Sequence, residues 1–365
     1  MTAEEFDLEA LLAPIAGDIP TGVDLRQDFS PTSLYFRLRD ARSEARAAER
    51  AADTDPTSDT SAVQHWRAVT TLARKALLEQ TKDIEIAAWL TEALVRSDGI
   101  AGLAMGAALI DGLIDRYWEP LYPLPDEDGM ETRVAPITGL NGEGGDGTLI
   151  QPLRKVKLFP LPDGTPMMFF AYEQSAELTT MTDKKRVEAR IASGTVPFDV
   201  VQKAGAAANK AALAGLRKSL REAGGFWRAM GEKLDNLAGS AAPPTSRVAE
   251  LLDQIGKIVD LYGPPETAAV SEMEAEAVTG DAQLPGGPTG GGGGPRRLAN
   301  REDALATLTE LAEFFRKNEP QSPMAYTIDE AVRRARMSWP ELLQEIITDE
   351  SARQNILLRL GIKPE

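Results

Sequence analysis

GIAGLAMGAALIDGLIDRYWEPLYP (Gly99–Pro123) sets the architecture of this chain. Leu103, Ala107, Ile110, Ile114 and Tyr117 recur at alternating spacings of four and three. That period puts one apolar stripe on an α-helix. Gly99, Gly102 and Gly106 lie in the same run. Glycine costs a helix stability relative to alanine, and the return expected here is close approach by a neighbouring helix. The helix ends in Arg116-Tyr-Trp-Glu-Pro-Leu-Tyr-Pro123, where aromatics anchor a terminus and prolines stop it. The uncharged part, Gly99–Ile110, falls short of the roughly 20 residues that span a bilayer. The opening residues lack the basic region and long apolar run of a secretory signal. The reading is a soluble, intracellular chain with no direct membrane insertion.

Similar stripes lie on both sides. Leu34, Leu38, Ala41 and Ala45 form one, and Trp66, Val69, Leu72, Ala73, Ala76 and Leu77 a second. Ile84, Ala87, Ala88, Thr91, Leu94 and Val95 form a third. Beyond residue 150 the pattern changes. Leu153–Phe159 (LRKVKLF) and Met167–Tyr172 (MMFFAY) read as short strands, with Asp163-Gly164 in the turn of a β-hairpin. Helical stripes resume over Phe198–Ala223, Phe226–Leu237 and, after Pro243-Pro244, through Val248, Leu251, Leu252, Ile255, Ile258 and Val259. The fold class is mainly α, with one small hairpin and no repeat at a fixed period.

Composition divides the chain. Residues 1–265 form an N-terminal region, with a helical bundle over about 1–150 and a hairpin plus helices over about 151–265. Residues 266–297 carry GGPTGGGGG and are acidic until Arg296, which reads as a disordered, flexible linker. Its r.m.s. span is on the order of 30 Å. Residues 298–365 return to helical pattern as a small C-terminal domain. Asn300 is an N-cap, with Glu302 and Asp303 in the first turn. Leu305, Leu308, Ala312 and Phe315 form its buried stripe; Ile328, Val332 and Ala335 mark a second helix, and Pro340 and Ile356–Leu360 two more. A core of about 70 residues rarely supplies more than 3–5 kcal/mol, so this domain is expected to self-associate.

Charge and composition remove whole classes of function. Acidic residues outnumber basic ones 56 to 40, for a net charge of −16. That disfavours nucleic acid and anionic membranes as partners. With no cysteine, thiol catalysis, iron–sulfur clusters and cysteine-bound zinc are excluded; with one histidine, His65, so is a His-only metal site within one chain. His65 reads as a surface or capping residue. The glycine-rich Gly142–Thr148 lacks the lysine and strand-to-helix context of a phosphate loop and reads as a flexible loop. Asp126-Glu127-Asp128 lacks the ligand spacing of an EF-hand. Arg333, Arg334 and Arg336 form either a solvated face or a surface for an acidic neighbour such as another subunit. No catalytic, cofactor or metal residues are assigned. The competing class is an enzyme of unrecognised type using carboxylates alone, such as a carboxylate-dependent hydrolase with an Asp/Glu pair.

Two stretches are distinctive enough to carry a resemblance. PIAGDIPTGVDL contains Pro14, Gly17, Asp18, Pro20, Gly22, Asp24 and Leu25. It resembles the opening of the ImpA-type N-terminal domain, the hallmark of TssA proteins of the bacterial type VI secretion system. The order that follows is similar too: a helical bundle, then Tyr117, Trp118 and Pro123 within RYWEPLYP, then LRKVKL at 153–158. The tail resembles that of the shorter TssA proteins through Arg301, Glu302 and Asp303, then FFRKNEPQSP with Phe315, Arg316, Glu319, Pro320, Ser322 and Pro323, then RMSWPELL from Arg336. Leu308 and Phe315 join that set from the apolar stripe. The resemblance implies a non-enzymatic assembly protein in the cytoplasm, peripheral to the apparatus at the inner membrane. It implies a homo-oligomeric ring built by the C-terminal domain. Its implied partners are baseplate, tail-tube and sheath proteins, with accessory proteins at the sheath end. It implies no cofactor, and the motif residues are expected to be structural or to lie at interfaces. The alternative within this class is an accessory protein that controls sheath length or stability.

Overall fold

The computed structural model describes residues 6–54, 61–265, 301–318, 321, 323–337, 341, 342 and 345. Two compact units, Met1–Asp281 and Ala282–Glu365, divide the chain. The segment read as a linker, the cap Asn300, the later C-terminal helices, Glu319, Pro320 and Ser322 lie outside the described residues.

In the first unit, α1 (Leu8–Leu12) leads to a hairpin of α2 (Leu34–Thr54) and α3 (Ser61–Glu79). The central helix α4 (Ile84–Tyr117) follows, with α1, α3 and α10 (Lys210–Ala238) packed around it. It is buried on nearly every side, so its apolar residues are not confined to one stripe. By length and composition it could cross a membrane, but 67% of its most apolar window is buried inside the fold.

Gly99 is not a helix-interior residue, as its position in the run predicts. Its φ of 61° and ψ of −130° break α4 into two halves. A left-handed φ of this kind favours glycine. The close approach predicted from the other glycines occurs between these halves. A Cβ on Gly102 would sit 2.0 Å from the Leu94 carbonyl oxygen, and one on Gly106 would sit 2.4 Å from Thr91 Oγ1.

After α5 (Met130–Asn141) and α6 (Ile150–Arg154), β1 (Lys157–Pro160) pairs antiparallel with β2 (Pro166–Met168). The turn is as read: Gly164 has φ of 84°, and the Leu161 N–H donates to Thr165 O at 2.7 Å. Both predicted strands are too long. Leu153 and Arg154 belong to α6, because Leu149, Ile150 and Leu153 bury at helical spacing. Phe169 opens helix α7 (Phe169–Glu177), where Phe169, Tyr172 and Ala176 face the core.

Helix α8 (Lys184–Ala192) precedes α9 (Phe198–Ala207). The break predicted near Gly224-Gly225 lies instead at Ala208-Asn209. There the Asn209 side chain accepts from the N–H groups of Ala211 and Ala212 and starts α10. Leu213, Leu220, Trp227, Met230 and Leu234 bury one face of α10, and Lys233 binds Asp111 at 2.8 Å and Asp115 at 2.7 Å on α4. Helix α11 (Ser246–Tyr262) covers α10 with the predicted stripe.

In the second unit, helices Arg301–Asn318 and Met324–Arg336 pack together. Leu305, Ala312, Ala325, Ile328 and Val332 are buried between them. Leu308 departs from the predicted stripe at 37% exposure, and Phe315 is half-buried.

Candidate functional site

Residues 81–84, between α3 and α4, form the spine of the site. The N-terminal arm lies on one side: Lys82 N–H donates to Thr21 O at 2.8 Å and Val23 N–H to Gln80 O at 3.0 Å. Gly22 (φ 68°) makes this approach possible, since a Cβ there would meet the Gln80 carbonyl oxygen at 2.0 Å. The segment after α4 lies on the other side: Ile84 N–H donates to Tyr122 O at 2.8 Å and Tyr122 N–H to Lys82 O at 3.1 Å. The Tyr122–Pro123 peptide bond is cis. The two N-terminal motifs, separated by about 100 residues, are therefore clasped onto one connection.

Buried charges hold the clasp. Asp83, fully buried, caps α4 by accepting from Glu85 N–H at 2.8 Å, and takes Arg26 Nη2 at 2.6 Å. Arg26 Nη1 reaches Glu85 at 2.9 Å, and the Tyr35 hydroxyl donates to the same carboxylate at 3.0 Å. Burial raises the Asp83 carboxyl, while Arg26 pulls it back. Burial opposes the Arg26 charge, but Asp83, Asp24 and Glu85 outweigh it and hold its pKa above the ordinary value. Lys82 Nζ donates to Leu11 O at 2.7 Å and Leu77 O at 2.6 Å. Arg133 is 1% exposed and donates to the carbonyls of Trp118 (2.8 Å), Pro123 (3.1 Å) and Glu119 (3.2 Å), closing the end of α4. The Tyr117 hydroxyl donates to Leu12 O at 2.8 Å.

Of the motif residues, Gly22, Leu25 and Tyr117 are buried, Asp24, Trp118 and Pro123 are partly covered, and Pro14, Gly17, Asp18 and Pro20 are exposed. Asp24 caps the turn Leu25–Gln27 by accepting from Arg26 N–H at 3.1 Å. Beside the clasp runs a groove of about 790 Å³ bordered by Arg26, Tyr35, Arg42, Trp89, Glu92 and Leu124. Arg42 binds the buried Glu92 at 2.7 Å, and Thr148 Oγ1 donates to Glu92 at 2.6 Å. That bond helps hold the glycine-rich segment in place, contrary to the flexible loop read from its composition. Thr148 N–H also donates to Gly139 O at 3.0 Å.

This arrangement is a structural clasp with a polar groove. Among the described residues no group of three or more His, Asp or Glu side chains is placed to hold a metal. His65 lies within α3, 3.2 Å from Glu44. Sequence reasoning missed Arg26, Lys82, Asp83, Glu92 and Arg133. The one available signal was Lys82-Asp83 directly before the most apolar helix, where Asp is an N-cap residue.

The C-terminal motif residues fall in the other unit. Arg301, Glu302 and Asp303 occupy the first turn of helix Arg301–Asn318, Arg316 pairs with Asp329, and Pro323 precedes helix Met324–Arg336. Arg333, Arg334 and Arg336 are exposed; Arg333 pairs with Glu330 (2.7 Å) and Glu345 (2.5 Å), and Arg334 with the same two carboxylates.

Known proteins share this build. Residues 12–142 match the family described as ImpA, N-terminal, type VI secretion system. The chain is 29% identical over 353 residues to the type VI secretion system component TssA1 of Pseudomonas aeruginosa, covering 94% of this chain and 96% of that protein. The fold matches the solved N-terminal domain, including the conserved ImpA_N region, of the TssA component from Burkholderia cenocepacia. That match has a TM-score of 0.57 and 26% identity, over 70% of this chain and 93% of that one. The ImpA-type region at residues 12–142, the likeness to TssA1 along nearly the whole chain and the shared N-terminal fold all support the TssA family of type VI secretion system components as the one this chain resembles.

Proposed function

We propose that this protein is a non-enzymatic assembly factor whose C-terminal unit builds a homo-oligomeric ring. Its N-terminal unit engages baseplate, tail-tube and sheath proteins at the cytoplasmic side of the inner membrane and coordinates their assembly. We divide it at residues 1–265, 266–297 and 298–365 for these roles. The supporting observation is in the C-terminal unit. Leu308, Leu311 and Phe314 step by threes beside the buried stripe, and they remain 37%, 43% and 55% exposed. Tyr326 on the second helix is 71% exposed. A unit this small gains most of its missing stability by covering such a face with another copy. Ring assembly then multiplies weak N-terminal contacts, because linked sites raise avidity by roughly 10²–10⁴. On the N-terminal arm Ile19, Val23 and Phe29 are exposed and available for those contacts. We assign the buried motif residues Gly22, Leu25 and Tyr117 to the clasp, and Leu308 and Phe315 to the oligomer interface.

Light scattering coupled to size exclusion tests this on the full chain. The wild type is expected to elute as a multi-subunit species. Phe314→Asp and Leu311→Asp are expected to shift it to monomer or dimer, with the far-ultraviolet spectrum of the N-terminal helices unchanged. A fully oligomeric double variant sinks the assignment of the ring to this face.

A further inference from the structure

On the N-terminal unit, where α2 passes the glycine-rich turn before α6, lies a cleft of about 260 Å³. Arg46, Arg50, Arg96 and Lys155 line it, with Gly147 and Thr148 at one wall. Its other charged walls are Glu49, Asp53 and Asp146, and each is already matched. Glu49 holds Arg96 at 2.9 Å, and Asp53 holds Lys155 at 2.5 Å. Asp146 lies 3.7 Å from Arg247. Glu92, behind the cleft, is taken by Arg42 and Thr148. The guanidinium groups of Arg46 and Arg50 have no hydrogen bond or ion pair among the described residues.

These two cations are crowded as well as unmatched. Arg42, Arg46 and Arg50 follow one another at i, i+4, i+8 on one face of α2, a spacing at which like charges repel. Arg96 on α4 adds a fourth charge; its guanidinium stacks 4.1 Å from the Trp66 ring centre. Arg46 is half-buried; burial first, then Arg42, with smaller contributions from Arg50 and Arg96, lowers its pKa from the ordinary value, and the nearby Glu92 offsets this only in part. An arginine does not relieve such crowding by losing its proton at accessible pH. An anion relieves it.

We propose that this cleft binds a phosphate-type oxyanion through Arg46 and Arg50. Two free guanidiniums carry two positive charges and several N–H donors in fixed forks. A phosphoryl group offers three acceptor oxygens and a charge of about −1.5 to −2 at neutral pH, which matches both. A single carboxylate supplies half that charge. A triphosphate or nucleic acid strand brings its further charges against Glu49, Asp53 and Asp146. The ligand is therefore one phosphate group, as the free ion or on a side chain of another protein.

The test titrates the full chain with sodium phosphate at constant ionic strength, followed by calorimetry and phosphorus NMR. Wild type is expected to bind saturably in the millimolar range, and Arg46→Gln and Arg50→Gln to weaken binding at least tenfold each. Because each substitution removes like-charge repulsion, melting temperatures of the unliganded variants are expected to equal or exceed that of wild type. That separates loss of the site from loss of the fold. O-phosphoserine binding alongside phosphate assigns the group to a modified side chain; phosphate binding alone assigns the free ion. Equal binding to wild type and to the double variant overturns the proposal. So does succinate binding as tight as phosphate, or the same heat from sodium chloride.

Discussion

Replacing Lys82 with methionine tests whether the clasp holds a dehydrated amine. Lys82 is fully buried, and its Nζ has two carbonyl acceptors, Leu11 O and Leu77 O. A neutral amine has two N–H groups for these; an ammonium has a third with no acceptor among the described residues. Burial lowers its pKa from 10.5 to about 8. In the unfolded chain the amine keeps its proton up to the higher value, whereas in the folded chain it loses it near the lower one. Between the two values the unfolded state binds more protons, so stability rises with pH. At 1.36 kcal/mol for each pH unit, the gap amounts to about 3 kcal/mol. Below pH 8 the folded chain bears that full penalty; by pH 10.5 it is relieved. The assay is urea unfolding of wild type and Lys82→Met at pH 7 to 10.5 and fixed ionic strength. Tyrosines titrate in the same range: burial raises Tyr35 to about 12 and moves Tyr117 and Tyr172 upward. They are common to both proteins and cancel in the difference. Wild type is expected to gain about 3 kcal/mol on the variant across this range. A flat difference refutes the reasoning, because it means that the folded state keeps water or an anion at the amine.

Other substitutions probe neighbouring parts of the argument. Arg133→Met leaves the carbonyls of Trp118, Glu119 and Pro123 without this donor, and is expected to cost about 3 kcal/mol in urea unfolding, less than three full penalties because a buried charge goes with it. Gly102→Ala forces the two halves of α4 apart and is expected to cost about 1–3 kcal/mol. Gly215→Ala on α10, where a Cβ meets nothing within 4 Å, is expected to gain up to about 1 kcal/mol; thermal unfolding of the pair separates packing from helix propensity.

The helices and the hairpin turn were legible because each rests on local chemistry. Apolar spacing names a helix, and Asp163-Gly164 names a turn. Element ends were less legible. Leu153 and Phe169 fit a strand by alternation, yet their helical neighbours had more apolar surface to bury. Asn209 outweighed Gly224-Gly225 as a boundary because a cap supplies hydrogen bonds that two glycines only fail to oppose.

By itself the sequence determined a mainly helical chain, a net negative charge, the absence of thiol chemistry and two motif sets that pointed to a family. Tertiary structure alone decided what the motifs do for each other. Residues 14–25 and 116–123 meet where both pair with residues 80–84, and no local pattern records a contact made across that much chain. It alone also decided which charges are buried. Apart from the N-cap signal of Asp83, the residues Arg26, Lys82 and Arg133 read like any solvated residues in a string, since the cost of burying a charge and the partners that offset it exist only once distant segments exclude water together.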